Sequence, residues 1–200
     1  MTSISQVADR IGEHICKRTD LETEVKKISF GIEVIMVISV SILAMIALGG
    51  VLGIFRETLL VTFAAFTMKF VIGGPHLSGF FRCLIYSIVL ILGGAWLCSM
   101  YQIWLNAPTV LFLLLLNILV ILYTQLAPSY RTFNNIQTFR RKLAATILVL
   151  ISVMLHLEFF TLWGAGALIG FSISILNISP LGTNFVKWLE RITKQGGAGQ

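Results

Sequence analysis

Charge is scarce in this chain. Lysine, arginine, aspartate and glutamate make up only 12% of its 200 residues, against about 25% in an average soluble domain. That excludes an ordinary water-facing surface. Cysteine is scarce too. Cys16, Cys83 and Cys98 have neither the spacing of a metal site nor that of a disulfide framework, and they fit a reducing compartment. No glycine-rich phosphate loop and no cluster of metal-ligating side chains occurs, so no nucleotide, metal or other cofactor is expected. The first 28 residues are polar and lack a short apolar core with a small-residue cleavage site, so a removable signal peptide is not expected.

What is present is apolar and comes in long runs. Hydrophobic residues make up 56% of the chain and the mean hydropathy is +0.89. The fold class expected is an all-α membrane protein, with about six transmembrane helices preceded by an N-terminal amphipathic helix. Over residues 3–27, Ile4, Val7, Ile11 and Ile15 recur at helical spacing among charged residues, which reads as a helix on the membrane surface or on the cytoplasmic side. The spans expected are about 30–55, 58–72, 79–100, 109–126, 143–157 and 160–179, most of them near the length that crosses a hydrocarbon core of about 30 Å. Arg56-Glu57 reads as a turn, and 128–142 as the longest polar loop. Gly166 and Gly170 form a small-xxx-small pattern for tight helix packing. Cys98 reads as packing, and His156 with Glu158 as a capping or interfacial pair. The organisation is a cytoplasmic helix over 1–28, a membrane domain over 29–186 and a cytoplasmic tail over 187–200.

The net charge of +6 speaks of topology, not of nucleic acid. With the N-terminus inside and six spans, fourteen of the fifteen basic residues fall on the cytoplasmic side and only Arg56 falls outside. The inverted orientation would break the positive-inside rule. Both termini and the stretch 69–83 are therefore expected to face the cytoplasm.

That stretch, Lys69 to Cys83, holds the chain's main cluster of groups able to do chemistry. Gly73-Gly74-Pro75 must break a helix, because glycine weakens it and proline removes a donor. His76 follows the break, and Cys83 lies seven residues on, after Arg82. Seven residues is nearly two turns, so both would share one face of an unbroken helix about 10 Å apart. A bend near Gly79 could bring them together as a Cys–His dyad. The plainer reading is a small buried cysteine and a packed histidine, and spacing alone leaves both readings open.

A basic residue, an apolar spacer, Gly-Gly-x-His, six residues and Cys is a pattern that resembles the accessory gene regulator B (AgrB) family. Here it is carried by Lys69, Gly73, Gly74, His76 and Arg82-Cys83. The chain length, the six apolar stretches and Ala127-Pro128 after the fourth also match. Lys69 stands where the family often has arginine, and Leu77-Ser78, Phe80-Phe81 and Pro128-Ser-Tyr-Arg depart from its usual pattern. These departures bear on substrate choice more than on chemistry.

The resemblance implies a bacterial plasma-membrane cysteine endopeptidase that processes a quorum-sensing propeptide. Cys83 would be the nucleophile and His76 its general base. Lys69, Gly73, Gly74 and Arg82 would support the site, the cations favouring a thiolate. Attack would give a thioester, which a substrate cysteine or serine resolves into a thiolactone or lactone ring. The partners implied are an AgrD-like propeptide and the bilayer; glycine-rich helix faces would allow a homodimer. The basic residues Arg131, Arg140, Arg141 and Lys142 would dock an acidic substrate tail. Two rival classes stand beside this reading. A small transporter or channel is suggested by Glu33, Lys69, His156 and Glu158 within or near apolar runs. A non-catalytic membrane scaffold is the other.

Overall fold

Apolar runs punctuated by glycine and proline become helices, and eight are found among the described residues. The computed structural model describes residues 4–19, 25–73, 80–101, 105–124, 135–159 and 162–195. The helices are α1 (Ile4–Thr19), α2 (Val25–Val51), α3 (Phe55–Ile72), α4 (Phe80–Ser99), α5 (Ala107–Tyr123), α6 (Asn135–Phe159), α7 (Leu162–Ile178) and α8 (Pro180–Gln195). The chain divides into two units, Met1–Ala44 and Met45–Gln200.

In the first unit, one helix was expected over 3–27. Within it α1 covers Ile4–Thr19, Lys26 and Lys27 belong to α2, and residues 20–24 lie outside the described residues. The face α1 buries is also not the isoleucine stripe. Ala8, Gly12 and Cys16 are buried, while Ile11 and Ile15 stay exposed. The reason is steric. A side chain at Gly12 would collide with Ser29 of α2, so close approach falls to the row of small residues, spaced four apart.

The second unit begins within α2. That helix ends in a tight hairpin to α3. Ile54 N–H donates to Gly49 O at 2.9 Å and Gly53 N–H to Gly50 O at 3.2 Å. This is a Schellman closure, with Gly53 at φ 72° supplying the left-handed residue it requires. The turn thus falls at 52–54. Arg56-Glu57, expected there, lies in the first turn of α3, where Glu57 faces the positive end of the helix dipole.

Helix α7 is the hub. Residues all round it are buried, from Gly164 to Asn177, and it packs against α3, α4, α5 and α6. Its tightest partner is α3. A methyl added to Gly170 would sit 2.7 Å from Ala64 Cβ and 2.7 Å from Val61 O, and one on Gly166 2.7 Å from Leu60 Cβ. The small-xxx-small pattern therefore does what its spacing predicts. Polar side chains bridge the interior: Asn117 Nδ2 donates to Ser172 Oγ at 2.8 Å, and Ser174 Oγ to Ala65 O at 3.1 Å. Cys98 is buried in this core, as expected.

The outer faces are apolar. Phe63 and Phe70 on α3, Ile85 and Val89 on α4, and Leu111, Leu115 and Leu119 on α5 are all exposed. Such continuous apolar surface is what lipid covers. Gly31–Val51 and Arg82–Ser99 are long and apolar enough to cross a membrane. The bent pair Leu162–Ile178 and Pro180–Ile192 would make a third, and α5 is apolar but shorter.

Candidate functional site

Successive helices α3 to α7 run up and down, which sorts their ends into two layers. The C-terminal ends of α3, α5 and α7 share one layer with the N-terminal ends of α4, α6 and α8. Two side-chain bonds tie this layer together. Tyr86 O–H of α4 donates to Asn177 Oδ1 of α7 at 2.7 Å. Lys142 Nζ of α6 donates to Leu122 O of α5 at 2.8 Å.

Cys83 lies in this layer, in the first turn of α4. It is half-buried and forms no disulfide. Lys69 lies in the last turn of α3, also half-buried, with Nζ 5.9 Å from the centre of the Phe66 ring. The glycine break falls where the sequence requires it. Helix α3 ends at Ile72, and Gly73 turns the chain away at φ 79°, ψ −160°, its N–H bonded to Lys69 O at 2.8 Å. A residue with a Cβ is strained at that φ. Lys69 and Cys83 interact electrostatically across the α3–α4 pair, and so do Tyr86 and Cys83, one turn apart. Arg82 is half-buried beside Cys83.

Gly74, His76 and Arg131 lie outside the described residues. The ends of the connection that carries His76, Gly73 and Phe80, belong to neighbouring helices. Of the basic residues expected in a loop over 128–142, Arg140, Arg141 and Lys142 are helical instead, within the first turns of α6. Arg140 is exposed, whereas Arg141 and Lys142 are half-buried. Lys142 is engaged with a carbonyl at the end of α5, where helix carbonyls lack intrahelical partners. It holds two helices together, a role the sequence reading did not give it.

His156 needs a correction. It was expected at an interface, yet it is fully buried in the opposite layer. Its Nε2 lies 3.2 Å from Leu105 O, and its ring meets Tyr101 edge-on at 6.2 Å. The start of α7 presses so closely that a methyl on Gly164 would lie 2.6 Å from His156 N. Here His156 packs helices together, far from Cys83.

Two features of the Cys83 layer were missed in the sequence. Tyr86 and Asn177 are 91 positions apart, and only folding joins them; the available signal was that Tyr86 follows Cys83 by one helical turn. The other is α8. Residues 187–195, expected as tail, continue a helix that begins at Pro180.

One protein-family model, Accessory gene regulator B, matches residues 6–184. No curated protein and no solved structure matches the chain.

Proposed function

The chain belongs to the accessory gene regulator B family, and on that footing we propose that it is a membrane-embedded cysteine endopeptidase. Membership gives the coarse role, a membrane protein of quorum-sensing peptide processing. The finer reading adds Cys83 as nucleophile, His76 as general base, and a propeptide cut on the C-terminal side of its signalling segment. The observation that carries it is the setting of Cys83. It stands in the first turn of α4, within electrostatic reach of Lys69, beside a connection that holds a histidine.

That setting suits thiolate chemistry. The first turn of α4 presents backbone N–H groups at its open end, and the dipole is positive there. The amine of Lys69 stands on the facing helix, α3. In the reaction, Cys83 gives its proton to His76 and its sulfur bonds to the scissile carbonyl carbon. The C–N bond then breaks, and the His76 proton leaves with the new amine. The acyl group remains on Cys83 as a thioester. A cysteine or serine of the same substrate attacks that thioester, its own proton passing to His76, and Cys83 is released as the (thio)lactone closes. Holding the internal nucleophile near the acyl carbon is what lets it outpace water.

Six spans, with the Cys83 layer facing the cytoplasm, complete the reading. The test uses membranes carrying the wild type, Cys83→Ala or His76→Ala, each mixed with the propeptide encoded beside this chain. Mass spectrometry follows the peptide. Cutting by the wild type alone, with an acyl adduct on Cys83, is the expected result. Equal cutting by all three would make the pair structural, and solute flux that survives loss of Cys83 would favour a transporter.

A further inference from the structure

Helix α8 leaves the bundle sharply. It is bent by 69° from α7. Ser179 and Pro180 make the corner: Ser179 Oγ caps the new helix by accepting from Gly182 N–H at 3.1 Å, and Pro180 opens it. A methyl on Gly182 would lie 2.7 Å from the carbonyl carbon of Asn177, so the corner is as tight as the backbone permits.

Three faces of α8 differ. Val186, 3% exposed, turns to the bundle. Leu181, Phe185, Trp188 and Ile192, spaced 4, 3 and 4, form one straight stripe, and all four are exposed, Leu181 at 82%. Lys187, Arg191 and Lys194 form a second row, roughly a third of a turn away. Phe185 and Trp188 stack at 5.7 Å, and Phe185 meets Tyr86 at 6.4 Å. The stripe is thus fastened at the level of the first turns of α4.

We propose that α8 is an interfacial helix that docks on an anionic lipid surface. Its apolar stripe enters the acyl boundary while Lys187 and Arg191, both exposed, meet the headgroups. Charge complementarity argues for this occupant, because an apolar stripe flanked by a basic row is the pattern of surface-lying helices. Continuity argues for it as well. Through Phe185 the stripe meets Tyr86 of α4, the helix on which Ile85 and Val89 are also exposed. Docking there would set Cys83 at the boundary between lipid and water. The proposal does not depend on Cys83 being a nucleophile.

The test uses the full-length protein in vesicles of phosphatidylcholine with or without phosphatidylglycerol. Subtracting the Trp188→Phe spectrum from the wild type isolates Trp188. Its emission should lie to the blue of water-exposed tryptophan. Lipids brominated near the headgroup should quench it more than lipids brominated at the chain end. Lys187→Gln with Arg191→Gln should abolish the preference for anionic vesicles. A second readout carries an environment-sensitive dye on Leu181→Cys in a Cys83→Ser background, with Cys16 and Cys98 buried. Water-like emission insensitive to either brominated lipid would overturn the proposal. So would a signal that moves only with added propeptide, which would make the stripe a peptide dock, or only with protein concentration, which would make it a contact between copies.

Discussion

Gly170 and Gly93 look alike in the sequence but not in the fold. A side chain at Gly170 meets Ala64 and the Val61 carbonyl, whereas nothing lies within 4 Å of one at Gly93. Gly170→Val should therefore destabilise the helical bundle by about 1–3 kcal/mol, the usual cost of overpacking, and Gly93→Val should leave it unchanged. Unfolding in mixed detergent micelles, followed by circular dichroism, reads the difference. Lys69 offers a second test at this scale. If its charge favours the reactive form of Cys83, Lys69→Met should slow alkylation of that thiol by roughly three- to tenfold, and Lys69→Arg should restore much of the rate. An unchanged rate in Lys69→Met would remove the charge from the site. Lys69, Gly73 and Cys83 were legible because their spacing belongs to one local motif. Tyr86 with Asn177 and Lys142 with Leu122 O were not, since each is a contact between helices that no local pattern encodes.

At the scale of elements, the six apolar stretches were legible as helices because each is a continuous apolar run, most of them bounded by glycine or proline. Their ends were not always so. Asn106 caps α5, accepting from Thr109 N–H at 3.1 Å, with proline in the first turn. The cap brings the start of α5 back to Ala107, before the 109 expected from hydropathy. At α6 and α8 the polar composition hid helical structure, because lysine and arginine lower hydropathy without lowering helix propensity. The first turns of α6 then separate two roles that had been joined. Arg140→Glu with Arg141→Glu should weaken processing of an acidic-tailed propeptide chiefly through KM, as loss of docking charge does. Lys142→Met should instead lower thermal stability by about 1 kcal/mol, the usual contribution of a single hydrogen bond. Should the two arginine reversals leave KM unchanged, the docking role fails while the structural role of Lys142 stands.

Across the unit Met45–Gln200, the two helix-end layers differ in charge. Lys69, Arg82, Arg140, Arg141, Lys142, Lys187, Arg191 and Lys194 lie in the Cys83 layer, and Arg56 lies at the opposite one. Positive charge resists translocation, so the Cys83 layer should be the cytoplasmic one. Single cysteines decide this. Gln137, at the start of α6, and Ser99, at the end of α4, are both exposed and lie in opposite layers. On a background with Cys16, Cys83 and Cys98 replaced by serine or alanine, Gln137→Cys should react with a membrane-impermeant maleimide only in inside-out vesicles, and Ser99→Cys only in right-side-out ones. The reverse pattern would place Cys83 outside, away from a propeptide made in the cytoplasm. Labelling of both from one side would break the alternation of spans itself. The pattern expected is the one that lets a cytoplasmic substrate reach Cys83 without first crossing the bilayer.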